Sequence, residues 1–249
     1  MTSHMIATIT SNFRILSGSW LKLLAVATMT ADHAALFVLR YCDGFREPLF
    51  EIAKIPVSWF LLLRCVGRMA FPLFAFLVVE GFLHTHSRLN YGCNLLLFAL
   101  LSIIPWNLVH TGRWYNFPSA NVLFTLLLGF IALCCIARWE SRRETSGMLA
   151  IQLFVIISSA ALGRVDFGAG GVTFILALYM LRQHRVLQAA IGFGLLPSKW
   201  LALLAFIPMN LYNGRRGFIQ GTVSKYAFYA YYPLHLLVLY FLRCRVMIA

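Results

Sequence analysis

Nine apolar runs, each closed by charged or turn-forming residues, leave this chain few folds to choose from. They cover residues 21–39, 57–83, 93–110, 120–137, 148–162, 171–181, 186–196, 199–211 and 226–242. In lipid a backbone must satisfy its own polar groups, and only a helix does so within one segment. The expected fold is all-α: a polytopic membrane helical bundle of about eight to ten spans with broken helices. It forms a single membrane domain over 1–249, with a cytoplasmic N-terminal segment over 1–20 and the bundle over 21–242. Only 12% of residues are charged, against about a quarter in soluble domains, and mean hydropathy is +0.79.

The net charge of +13 does not point to nucleic acid. Lys and Arg occur in ones to threes at the ends of apolar runs, as loops obeying the positive-inside rule require, and no block of five exists. With the N-terminus inside, the inner segments hold eleven: Arg14, Lys22, Arg88, Arg138, Arg142, Arg143, Arg182, Arg185, Arg215, Arg216 and Lys225. The outer segments hold eight: Arg40, Arg46, Lys54, Arg113, Arg164, Lys199, Arg243 and Arg245. The expectation is therefore a bacterial cytoplasmic (inner) membrane protein with its N-terminus in the cytoplasm. The first twenty residues are too polar for a signal-peptide core, so the first span is expected to act as an uncleaved targeting signal. The six cysteines form no CxxC pair, and neither a disulfide framework nor a metal site is expected.

The second run is about 40 Å if fully helical, longer than a hydrocarbon core of about 30 Å. It contains RCVGRMAFP, in which Pro72 has no N–H for the carbonyl of Arg68 and Gly67 loosens the same turn. A kinked or broken helix is expected there. Pro233 marks irregular backbone in the last span in the same way, and Pro197 separates the seventh and eighth runs, which read as two half-spans or one broken helix.

Asp32 and His33 sit mid-span in the first run, where a carboxylate costs about 2.5–3.5 kcal/mol and needs a partner. Adjacent helical residues project about 100° apart, so each should reach a different helix. Arg64 and Arg68 share one face at i, i+4; depth counting places Arg68 beside Asp32 and Arg64 nearer the outer surface. One Asp cannot neutralise two guanidinium groups, and the spare charge suits a phosphate, carboxylate or developing oxyanion. A purely structural Asp32–Arg68 pair is the alternative. His235 lies at similar depth in the last span, as a packing residue or a site residue.

Glu80 and His84 are i, i+4 at the inner end of the second span, a mouth for a polar ligand or an interfacial cap. Asn107, Asn121, Arg164 and Asp166 cluster at outer span ends beside the glycine run of RVDFGAGG, as a flexible turn or an acceptor-side mouth.

The segments TMTADHAAL, GRMAFPLFAFLVVEGF, NVLFTLLLG, DFGAGGVTFILAL and FYAYYPLHLLVL occur in this order across most of the chain. In them the chain resembles the TraX family, the F-pilin-acetylation proteins, related to membrane acyltransferases. Asp32, His33, Gly67, Arg68, Pro72, Asn121 and His235 fall on positions of that family's motifs. The resemblance implies acetyl transfer from acetyl-CoA, the co-substrate, to an amine or hydroxyl acceptor: a pilin N-terminus, or an envelope glycan or lipid. In that reading His33 and Asp32 are catalytic, with His33 as general base and Asp32 holding the arginines. Arg64, Arg68, Asn121, Asp166, His235, Glu80 and His84 bind substrate or co-substrate. Membrane lipid and the acetyl acceptor are the expected partners. A transporter or flippase for a polar or anionic substrate and a non-catalytic envelope-assembly protein are the competing readings.

Overall fold

A computed structural model describes residues 14–115, 119–142, 145–196 and 200–248. Pro197, Arg143, Lys199 and most of the N-terminal segment expected over 1–20 lie outside the described residues. The helices are α1 (Gly18–Phe37), α2 (Trp59–Gly67), α3 (Ala70–His84), α4 (Arg88–Leu101), α5 (Ile103–Thr111) and α6 (Val122–Arg142). They continue with α7 (Ser146–Leu162), α8 (Gly168–Met180), α9 (Arg185–Leu195), α10 (Trp200–Leu203), α11 (Phe206–Asn210) and α12 (Thr222–Val246). The described strands are β1 (Phe50–Ile52) and β2 (Ile55–Val57), an antiparallel hairpin between α1 and α2. The chain is an all-α membrane bundle: four segments, Gly18–Tyr41, Trp59–His84, Arg88–Thr111 and Val122–Ser141, are long and apolar enough to cross a membrane.

Hydrogen bonds between distant segments define the two ends of the bundle. At one end, Leu16 and Gly18 donate backbone N–H groups to Leu211 and Arg215 (2.9 and 2.8 Å). At the other, the Arg243 guanidinium lies 5.2 Å over the Tyr41 ring and donates to the Val109 carbonyl at 2.7 Å. These are called the Gly18 end and the Tyr41 end.

The second long segment breaks where Pro72 requires it. Helix α2 stops at Gly67, and Arg68 and Met69 tighten into i→i−3 bonds to Cys65 and Val66 (both 3.2 Å) before α3 begins. The same device recurs unannounced in the third segment. Pro105 leaves the Leu101 carbonyl without its helical donor, and α4 gives way to α5 at Ser102, whose hydroxyl donates to the Phe98 carbonyl at 2.6 Å. Pro233, by contrast, does not interrupt its helix: α12 runs unbroken from Thr222 to Val246. The irregular backbone expected there is therefore corrected; a TM helix tolerates one lost bond where neighbours pack around it.

The seventh and eighth runs are separate passages. Gly170 at the Tyr41 end of α8 packs on the Leu195 carbonyl, whereas Leu211 after α11 sits at the Gly18 end. Helix α9 thus rises alongside α8, and α10 and α11 return. One apolar core runs through the bundle, with Leu21, Leu73, Phe82, Leu133, Phe174 and Leu236 almost wholly buried. Small residues let helices approach, as membrane packing demands; Gly171 meets Phe71, Thr125 and Phe167.

Candidate active site

At about 1.5 Å per residue, His33 lies about 22 Å along α1 from Gly18, in the half of the bundle nearer the Tyr41 end. Asp32 and His33 do reach different helices. Asp32 turns to α2 and the break after it, and His33 turns to α12.

Asp32 accepts from both arginines: Arg64 Nη1 at 2.6 Å on Oδ2 and Arg68 Nη2 at 3.2 Å on Oδ1. Arg64, one turn nearer the Tyr41 end than Arg68, therefore shares the carboxylate as well. The i, i+4 spacing brings both guanidinium groups to one carboxylate, and Arg64 makes the shorter bond. Two cations on one anion leave that trio with a net positive charge, which the Asp166 carboxyl also feels through Arg68, and the arginines keep about a quarter of their side-chain surface exposed (24% and 25%) while Asp32 keeps 14%. Gly67 makes this approach possible: a Cβ there would come within 2.5 Å of Asp32 Oδ1 and 2.6 Å of its Cγ.

His33 Nδ1 lies 2.8 Å from His235 Nε2, with the two rings parallel at 4° and 5.1 Å between centroids. His235 Nδ1 lies 3.0 Å from the Tyr231 carbonyl, which can only accept. The Tyr231 carbonyl therefore fixes the proton of a neutral His235 on Nδ1 and leaves Nε2 as an acceptor. His33 must then donate from Nδ1, and its Nε2 carries the free lone pair. His33 is half-buried, whereas His235 is buried at 7% exposure. Tyr231 also stacks on His235 (5.2 Å, 8°), and its hydroxyl shares a 2.7 Å hydrogen bond with Thr30, one turn before His33.

Asp166, in the turn between α7 and α8, is tied into the same region. Its backbone N–H donates to the Ala120 carbonyl at 2.9 Å, and its carbonyl accepts from the Thr125 hydroxyl. Burial pushes its carboxyl up to about 6, although the Phe167 N–H and the Arg68 guanidinium pull the other way. Asn121 spends its amide on the backbone: Nδ2 donates to the Ala99 carbonyl (3.0 Å) and Oδ1 accepts from Leu123 N (3.1 Å). That ties the start of α6 to α4.

Glu80 and His84 lie on the same long segment but toward the Gly18 end. His84 Nδ1 bonds the Glu80 carbonyl at 2.8 Å and is 3.9 Å from its carboxylate, with His84 67% exposed. Arg185 and Tyr212 act electrostatically on Glu80. This pair is separate from the Asp32–His33 centre. Among the described residues, no three His, Cys, Asp or Glu side chains converge as metal ligands.

Three residues of this neighbourhood escape sequence reading. Tyr231 stands i−4 from His235, and Trp106 stands i−4 from His110, whose Nδ1 bonds the Trp106 carbonyl (2.8 Å). The i, i+4 spacing is the signal that marks each pair.

The model of the TraX protein family matches residues 17–243 of this chain. The chain belongs to the TraX family. A relative, the probable fimbrial assembly protein FimC, serogroup H1, of Dichelobacter nodosus, is 32% identical over 248 residues, covering 88% of this chain and 92% of its own length. No solved structure matches. The TraX match takes in every helix from Gly18 to the end region of α12, so the Asp32–Arg64–Arg68 cluster and the His33–His235 pair lie wholly inside it.

Proposed function

We propose that this TraX-family chain is an inner-membrane acetyltransferase that moves an acetyl group from acetyl-CoA to an amine, the N-terminus of a pilus or fimbrial subunit. The observation that carries the reading is the free Nε2 of a half-buried histidine, set beside a pair of arginines that a single carboxylate does not fully neutralise. The resemblance to the pilin-acetylation family and the relative's name as a fimbrial assembly protein support the acceptor class.

In this mechanism His33 Nε2 takes a proton as the acceptor nitrogen attacks the thioester carbonyl. The new C–N bond leaves a tetrahedral oxyanion, which Arg68 and Arg64 stabilise by charge-assisted hydrogen bonds in a water-poor site. Collapse breaks the C–S bond, and His33 returns its proton to the departing CoA thiolate. Asp32 holds the two guanidinium groups in place, and His235 holds the imidazole in the productive tautomer. The co-substrate enters from the cytoplasm at the Gly18 end, where Arg185, Arg215, Arg216 and Lys22 suit its phosphates.

Mass spectrometry of the subunit N-termini in cells with and without the gene tests this reading. The acetyl adduct on the subunit N-terminus should vanish with the gene and with His33→Ala. Unchanged acetylation would refute it. The two broken helices favour one competitor, a transporter; substrate uptake into liposomes without CoA would decide for it.

A further inference from the structure

A cavity of about 240 Å³ opens at the Tyr41 end, lined among others by Ile103, Trp106, Asn107, Ala120, Phe124 and Arg164. Two of these side chains are unsatisfied. Trp106 and Asn107 are 6% and 1% exposed, yet among the described residues Trp106 Nε1 and Asn107 Oδ1 have no hydrogen-bond partner. The rest of Asn107 is committed: its Nδ2 donates to the Trp114 carbonyl at 3.0 Å. A buried donor and a buried acceptor on neighbouring residues, each left unmade, is an uncommon arrangement that costs stability.

Two series of contacts link the cavity wall to the region of the proposed centre. The Trp106 ring is 3.9 Å from that of His110, which is 4.7 Å from Phe37, which is 5.5 Å from His33. On the other side, Ala120 pairs with Val165 in a parallel bridge and accepts from the Asp166 N–H.

We infer that this cavity is an acceptor subsite that holds one peptide unit of a polypeptide chain, the inference resting on the acetyl-transfer reading for why a polypeptide comes there. The indole N–H of Trp106 donates to the peptide carbonyl, and Asn107 Oδ1 accepts from the peptide N–H. One donor and one acceptor match a secondary amide; an ammonium, a carboxylate or a phosphate would use only one of them. The walls from Ile103, Ala120 and Phe124 suit a small apolar side chain rather than a hydroxyl-rich sugar, and the volume limits the occupant to a residue or two.

The test is equilibrium binding of a labelled alanyl-alanine amide to the full chain in liposomes, beside the depsipeptide analogue in which oxygen replaces the linking N–H. Wild type should bind the amide about tenfold more tightly than the ester, and Trp106→Phe and Asn107→Leu should each weaken amide binding about tenfold. Asn107→Leu should also erase the preference for amide over ester. Trp106→Phe keeps the ring against His110 and removes only the N–H, so it carries the test if Asn107→Leu does not fold. Equal binding of amide and ester by wild type, or unchanged binding by a folded Trp106→Phe, would overturn the assignment and leave the two groups to water. Equal retention of an N-acetylamino sugar would overturn it in favour of a glycan. Binding that behaves as expected without acetyl transfer to any acceptor would refute the catalytic reading and not the subsite.

Discussion

Gly67→Ala probes the contact on which the charged half of the site depends. An alanine Cβ would sit 2.5 Å from Asp32 Oδ1 and 2.6 Å from Asp32 Cγ, where relaxed heavy atoms stay about 3.5–4.0 Å apart. Relief requires α1 and α2 to part by about 1 Å, or Asp32 to leave its rotamer. Either change lengthens the 2.6 Å bond to Arg64 and the 3.2 Å bond to Arg68. Overpacking of this kind costs about 1–3 kcal/mol, and a displacement of about 1 Å at a catalytic group costs about a hundredfold in rate. Gly129→Ala is the control, because its Cβ would crowd Ile175 at 3.1 Å from the Ile175 Cβ, away from the site. Thermal unfolding in detergent and transfer of label from acetyl-CoA should be measured on both. Gly67→Ala should lose about two orders of magnitude in transfer at a modest drop in Tm, and Gly129→Ala should lose stability alone. Full transfer by Gly67→Ala would refute the claim that close packing of α2 on Asp32 builds the site.

Asp32→Asn removes the only carboxylate bonded to Arg64 and Arg68 in the described structure and should destabilise the bundle by about 2 kcal/mol, read by thermal unfolding; partial exposure of all three groups keeps the cost below that of a fully buried pair. His235→Ala should reduce transfer about a hundredfold, whereas His235→Gln, whose carbonyl oxygen can still accept from His33 Nδ1, should stay within about tenfold of wild type. Asp166 gives a pH-dependent effect. Its carboxyl is raised in the folded state to about 6, so its contribution to stability is fully present below its unfolded value and is lost as pH rises through about 6. Asp166→Asn should therefore stabilise the protein at pH 8 and make little difference at pH 4, in Tm series across that range.

Much of this architecture is legible in the sequence because lipid imposes severe rules. A carboxylate at Asp32 demands a partner, and Arg64 and Arg68, one turn apart, are the nearest intramembrane cations to supply it. The break at Arg68 follows from Pro72 and Gly67. Depth counting along a straight helix pairs Asp32 with Arg68 and misses its bond to Arg64, because it ignores the reach of a guanidinium and the close approach that Gly67 permits. Proline alone does not announce its effect: Pro105 ends a helix at Ser102, whereas Pro233 sits inside one. The difference lies in what packs around the freed carbonyl, which is a tertiary property. The His33–His235 bond joins residues 202 apart, so no local pattern contains it. The role of Asn121 is similarly hidden, since its partner is the Ala99 carbonyl on another helix.

In the proposed mechanism His33 Nε2 serves as the base in acetyl transfer. Purified protein in liposomes, supplied with labelled acetyl-CoA and a peptide bearing a free N-terminus, measures it directly. Wild type should place label on the peptide amine, and a folded His33→Ala should lose at least about a hundredfold. Transfer at the wild-type rate by that variant, or no transfer by wild type to any amine or hydroxyl acceptor, would contradict it.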